Sequence, residues 1–417
     1  MRTQRTRIAG IAAALLLVAA CSDSVTDDGP TAGGASADPE TRTTRGITDD
    51  TVTVGGVTYG LFFGDSATGV EARLKEVNDA GGVHGRTIEF VGTEDDENDA
   101  TRSQEITQRL VEQEEVFAVL PAMSSGFGGT SDYIVDNDIP TFGWGVNPAF
   151  CDNDVAFGIT GCVTNPSLEV GSNALGIGLE ELFDGDTDQT IAFLGEDNDS
   201  ARGGIALLEA SVADRGFDVV MADPSLPAPP DPLGDPSPFV SRLISADDGE
   251  APDIIYLLAT LSGTQISSAI QATGYEGMII TPAYSPLLLG QPGYDGVWIN
   301  TQIGMDPETP ANAEMLDAIA EVDADQQLNL AVAAGYWTAD LFIEALEATG
   351  EDLTVENLLA TLNSGDFTYE VDGVVGLSEW PDSHSQSVPC SALTEVQGDE
   401  FVPTVPLACG ENITVEG

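Results

Sequence analysis

The chain has 417 residues, 42% of them hydrophobic, and sets 70 acidic against 13 basic side chains for a formal net charge of −57. That length exceeds what one hydrophobic core usually serves and predicts two domains of roughly 150 to 200 residues. The charge excludes nucleic acid and anionic lipid headgroups as partners, since its field repels both; it keeps the surface solvated and suits a salty exterior that screens self-repulsion.

The first segment is an address. Arg2, Arg5 and Arg7 precede an apolar run at residues 8–20, too short to cross a bilayer comfortably as a permanent helix, so residues 1–20 read as a secretion signal. The run ends Leu17-Val18-Ala19-Ala20-Cys21, which resembles the lipobox of bacterial lipoproteins. The resemblance implies cleavage before Cys21, lipid on its thiol and new amino terminus, and an outer-face, extracytoplasmic location. Residues 21–45, rich in Ser, Thr, Asp, Gly and Pro, then form a flexible tether. Four cysteines remain. Sequence neighbours pair most economically, Cys151 with Cys162 and Cys390 with Cys409, although spacing alone leaves other connectivities open. There is no CxxC, and His84 and His384 stand alone, so neither a metal nor a cofactor is expected.

From residue 51 the pattern alternates. Strands are expected at 51–57, 87–93, 116–120 and 139–142, with helices at 68–80, 99–112 and 130–136. Pro121 is expected to stop the third strand. After Cys162 the rhythm restarts, with strands at 190–194, 217–221, 253–258 and 278–281 and helices at 202–215, 238–245 and 264–273. A Pro-rich segment at 224–238 reads as a solvent-facing loop. Helices at 310–322, 330–349 and 355–362 break the alternation; the middle one is apolar enough to be core. The two series predict an α/β protein with two lobes built on mainly parallel sheets.

Two loops offer binding chemistry. The third strand runs into Met123-Ser124-Ser125-Gly126-Phe127-Gly128-Gly129, where hydroxyls and glycines let a ligand approach the backbone; the fourth runs into Gly143-Trp144-Gly145-Val146-Asn147-Pro148. Open α/β sheets bind ligands at such places, outside the carboxyl ends of parallel strands. An enzyme, such as a surface hydrolase, is the rival class. The chain lacks GxSxG, HExxH and GxxxxGK[ST], and its acidic loops from Asp95 and Asp184 lack the glycine and terminal acid of a calcium loop. No catalytic residue is assigned.

Asn78-Asp79-Ala80-Gly81-Gly82-Val83-His84-Gly85-Arg86-Thr87-Ile88-Glu89, preceded by Gly46-Ile47-Thr48-Asp49-Asp50-Thr51-Val52, strongly resembles the opening of the substrate-binding proteins of branched-chain amino acid ABC transporters, the Leu/Ile/Val-binding family. The resemblance covers most of residues 46–380 and is most specific in the first third. It implies two Rossmann-like lobes joined by three crossings, near 165, 303 and 375, that close on a solute like a hinged trap. Residues 46–165 with 304–374 would form one lobe, and 166–303 with 375–417 the other. Ser124 and Ser125 would hydrogen-bond a ligand carboxylate or equivalent acceptor, and Gly145 and Asn147 map onto the second loop. Amino-acid binders of the family resemble one another in carrying threonine where this chain has Val146 and an acid where it has Ala283. Without that acid a buried ammonium lacks compensation. Tyr59, Phe62, Phe63, Trp144 and Tyr284 supply an aromatic lining instead, suited to a small, partly apolar solute such as an amino acid, an amide or an aromatic compound. Ser200 and Arg202 open a helix facing the cleft; Arg202 either grips a carboxylate or makes a structural salt bridge. The implied partners are the solute and an ABC permease, with the membrane touched only through the lipid and the protein a monomer. A sensory module reporting to a membrane receptor would have the same fold.

Overall fold

The computed structural model describes residues 44–163, 169–228, 231–259 and 261–415. The signal peptide, Cys21, nearly all of the tether and the crossing expected near 165 lie outside them. In chain order the first sheet and its helices are β1 (Thr51–Thr58), α1 (Gly60–Phe63), α2 (Ser66–Asp79), β2 (Thr87–Asp95), α3 (Ala100–Glu112), β3 (Ala118–Met123), α4 (Ser131–Asp136), β4 (Thr141–Gly143) and β5 (Ala156–Gly158). Their strands pair in the order β2-β1-β3-β4-β5, all parallel. Every residue of β3 is buried, as expected for a central parallel strand covered on both faces.

Pro121 does not stop β3. The strand passes through it to Met123, and the pairings with β1 and β4 both shift register there. A proline lacks the N–H that a ladder needs, so the irregularity absorbs it. Gly56 opposite makes the room: a Cβ there would lie 2.5 Å from the Pro121 ring.

The second series is β6 (Val170–Ser172), α5 (Ala174–Leu182), β7 (Thr190–Glu196), α6 (Asp199–Asp214), β8 (Asp218–Leu226), α7 (Ser237–Leu243), β9 (Ile254–Leu258), α8 (Leu261–Gln271), β10 (Met278–Thr281) and β11 (Trp298–Thr301). The remainder is α9 (Pro310–Val322), α10 (Leu330–Thr349), α11 (Val355–Leu362), β12 (Thr368–Val371), β13 (Val375–Glu379), β14 (Cys390–Gln397), β15 (Glu400–Cys409) and β16 (Asn412–Thr414). The second sheet runs β15-β14-β11-β10-β9-β7-β8, parallel except where β14 meets β11 and β15. The Pro-rich segment is not all loop, because β8 continues through Pro224 to Leu226. Only β7 pairs with β8, which forms the edge of the sheet, where a missing N–H is tolerated.

The three late helices return to the first lobe. Helix α10 is buried on nearly every side, as an apolar central helix must be. It meets α2 through two glycines: a Cβ on Gly69 would lie 2.7 Å from the Tyr336 nitrogen, and one on Gly335 2.8 Å from the Ser66 backbone. Both expected disulfides, Cys151–Cys162 and Cys390–Cys409, are formed. The core divides accordingly, with apolar clusters on both faces of each sheet.

Candidate functional site

Each sheet has one place where its strand order reverses, between β1 and β3 in the first and between β7 and β9 in the second. Loops diverge at such a switch point and leave a crevice. A cavity of about 290 Å³ lies where the loops of both lobes converge. Tyr59, Phe62, Phe63, Asn98 and Ser125 line it from the first lobe's switch point, with Trp144 and Val146 beyond β4. From the second lobe, Glu196 ends β7 and Asn198 and Ser200 follow it, Ala259 follows β9, and Ala283 and Tyr284 follow β10.

Hydrogen bonds fix the first-lobe loops. The Asp95 carboxylate accepts from the backbone N–H groups of Gly60 (2.9 Å) and Glu97 (2.8 Å), which ties the start of α1 to the end of β2. The Asn98 side chain accepts from Gly126 N–H at 3.0 Å, while Ser124 Oγ caps the short 3-10 turn at Ser125–Thr130 by accepting from the same N–H at 3.0 Å. The aromatic wall is internally packed: Phe63 meets Trp144 edge-on at 5.7 Å, Tyr59 lies 5.6 Å from Phe62, and Tyr284 stacks on Phe401 at 4.0 Å.

Electrostatically the site is spare. Among the described residues lining it, Glu196 is the only acidic side chain, and no Lys, Arg or His is present. Burial holds the Tyr59 phenol above its ordinary value, and the carboxylates of Asp95, Glu196 and Asp96 add to this, so it stays a neutral donor. Tyr284 is raised too, first by burial and then by Asp306. The Trp144 indole N–H is buried without a hydrogen-bond partner.

Of the residues expected from sequence, Tyr59, Phe62, Ser125, Trp144, Ser200 and Tyr284 are brought together in the lining, whereas Ser124, Gly145, Asn147 and Arg202 lie outside it. Ser124 and Asn147 are fully buried and spend their polar atoms on loop backbone. Gly145 has φ +105 and packs beside Thr160, whose Oγ1 would lie 3.0 Å from a Cβ there. Arg202 is ion-paired with Asp197, the structural alternative, and is not part of the lining. Glu196, Asn98 and the inner lining from α6 were not singled out in sequence. Position at the carboxyl end of β7 was the signal for Glu196.

Among the described residues no helix is long and apolar enough to cross a membrane, and no cluster of three or more His, Cys, Asp or Glu could hold a metal ion.

Two lobes with facing switch points and a shared, mostly apolar cavity define a solute-binding protein. The sequence bears this out: the model of the periplasmic binding protein family matches residues 52–400, and the chain belongs to that family of extracytoplasmic binding proteins, which are not enzymes. No curated protein matches significantly. Solved structures share the fold. A fatty acid ABC transporter substrate-binding protein from Thermomonospora curvata aligns with a TM-score of 0.71 at 20% identity, covering 89% of this chain and 96% of that one. A Rhodopseudomonas palustris solute-binding protein in complex with 3,4-dihydroxybenzoic acid aligns at 0.67 and 16% identity over 87% and 99% of the two chains. A Streptococcus pneumoniae branched-chain amino acid transporter substrate-binding protein in complex with isoleucine aligns at 0.65 and 16% over 88% and 100%.

Proposed function

We propose that this chain is the lipid-anchored, monomeric solute receptor of an ABC importer, held by Cys21 at the outer face of the membrane and presenting its closed form to a permease. The lobes divide as the sequence suggests, with crossings near 165, 303 and 375, and the cleft between them closes on the solute. Tyr59, Phe62, Ser125, Trp144, Ser200 and Tyr284 contact it. Ser124, Gly145, Asn147 and Arg202 hold the loops that carry those contacts.

The observation that carries this reading is a mostly apolar cavity shared by both switch points, with Trp144 in its wall. Such a wall suits a small, partly apolar solute with few polar groups. Val146 and Ala283 line the cavity where amino-acid binders carry threonine and an acid, which weighs against an ordinary α-amino acid. An amide or a related partly apolar solute satisfies the groups present. The neighbours' ligands are a fatty acid, a dihydroxybenzoic acid and isoleucine, so the scaffold itself does not select among them.

A thermal-shift screen of amino acids, amides, ureas and small aromatic acids tests the proposal. One class should raise the melting temperature in a concentration-dependent way, by mass action on the closed form. No response across all four classes would count against it.

A further inference from the structure

The cavity does not end between the lobes. Ala201, Gly204, Leu207, Leu208 and Ser211 of α6 all line it, and at 100° per residue they fall on one stripe of the helix. At about 1.5 Å per residue, the stripe from Ala201 to Ser211 is roughly 15 Å long. The facing wall comes from the second sheet, through Tyr256 and Leu258 of β9 and Asn300 of β11, with Leu175 of α5 at the side. Leu175, Ser211, Tyr256 and Asn300 are buried, so the space reaches the interior of the second lobe.

Gly204 lets α6 lie close on β9 at one point of the stripe, since a Cβ there would come within 2.7 Å of a Leu258 methyl. The polar groups at the inner end are spent on one another. Tyr256 donates to Asn300 at 3.1 Å, Asn300 donates to Ser391 Oγ at 2.6 Å, and Ser211 Oγ accepts from Gly176 N–H at 3.3 Å. What faces the gap is therefore mainly leucine, with satisfied polar atoms behind it. Protein interiors otherwise pack like organic crystals, and an apolar gap is costly unless something apolar fills it.

We propose that the solute carries an unbranched apolar chain that runs along α6 into the second lobe while its polar end stays in the cleft beside Trp144 and Ser125. This rests on the solute-binding reading above and narrows its substrate class to elongated amphiphiles. Among the described residues the lining holds no basic side chain, which together with the net charge of −57 favours an uncharged head such as a primary amide over a carboxylate.

The test uses n-alkyl primary amides from butanamide to decanamide, titrated by calorimetry into the exported chain. Affinity should rise about three- to four-fold per added methylene, the increment expected for burying each one, until the chain fills the channel. In Leu207→Phe, whose larger side chain takes up space in the lining, that gain should stop at a shorter chain. Leu208→Ala, at a half-buried position, guards against a folding failure of the first variant; it should flatten the gain for the longest chains. Affinity independent of chain length, or an identical length profile in both variants, overturns the inference. So does failure of every member to bind, and the broader solute screen then decides the receptor reading by itself.

Discussion

Asn147 and Ser124, 23 residues apart, are joined by a buried hydrogen bond of 3.1 Å from the asparagine amide to the serine carbonyl. The same asparagine accepts from the Ala149 N–H at 2.9 Å, so one side chain ties the loop after β4 to the loop after β3. These are the two loops that carry Trp144 and Ser125 into the cavity. Asn147→Ala strands both backbone groups and should lower unfolding free energy by about 1–3 kcal/mol, read as a lower urea midpoint at unchanged slope. An unchanged midpoint would show that the tie is not made in solution.

Trp144→Phe removes the indole donor together with one of its two fused rings. Trp144 N–H has no partner in the unliganded protein, so the loss of stability should reflect only the lost packing of a buried ring, about 1–3 kcal/mol. Affinity for the solute found by screening should fall about ten-fold, the equivalent of about 1.4 kcal/mol for one hydrogen bond. Equal affinity in the variant would place the ligand's acceptor elsewhere.

His384 provides a pH dependence of known sign. Burial, opposed only in part by Asp154 and the Ala156 backbone, pushes its pKa from 6.5 down to about 4. The unfolded chain therefore takes up this proton before the folded one does, and stability falls as pH drops from 6.5 towards 4. The full contribution is about 3 kcal/mol, present above pH 6.5. His384→Gln should flatten the melting-temperature profile between pH 7 and 4.5 relative to the wild type. Parallel profiles would rule out the buried neutral ring as the source.

Salt should stabilise the fold. Many basic side chains among the described residues are already in pairs such as Arg73–Asp340 at 2.6 Å and Lys75–Asp79 at 2.6 Å, and acids outnumber bases 70 to 13. Most acids therefore lack a partner cation and repel across the surface. Shortening the Debye length from about 10 Å at 0.1 M to about 3 Å at 1 M NaCl removes much of that repulsion. The melting temperature should rise by at least about 2–4 °C, the shift worth 1 kcal/mol in a domain of 150 to 250 residues. A flat response would show that the surplus charges are spaced widely enough not to matter.

The alternation of apolar runs and helical periodicity determined the two α/β lobes, and helices Pro310–Val322, Leu330–Thr349 and Val355–Leu362 begin and end where the pattern places them. Such elements are local: caps, periodicity and length decide them. Pro121 was misread because tolerance of a proline in β3 depends on Gly56 in another strand. Helix α5 and strand β11 were passed over for a similar reason, since their burial comes from partners distant in sequence. The loops after β3 and β4 were legible as a binding wall, but which side chains face the cavity was not. Ser124 and Ser125 are chemically equal in sequence, and the 3-10 turn that follows turns one inward as a cap and leaves the other exposed at the cleft. Glu196 and the Ala201-to-Ser211 stripe became parts of one site only when the second sheet set α6 against β9 beneath the cleft. Sequence alone determined which elements form and which family they belong to; tertiary structure decided which residues meet, because a cavity is made by surfaces from strands and helices that no local pattern relates.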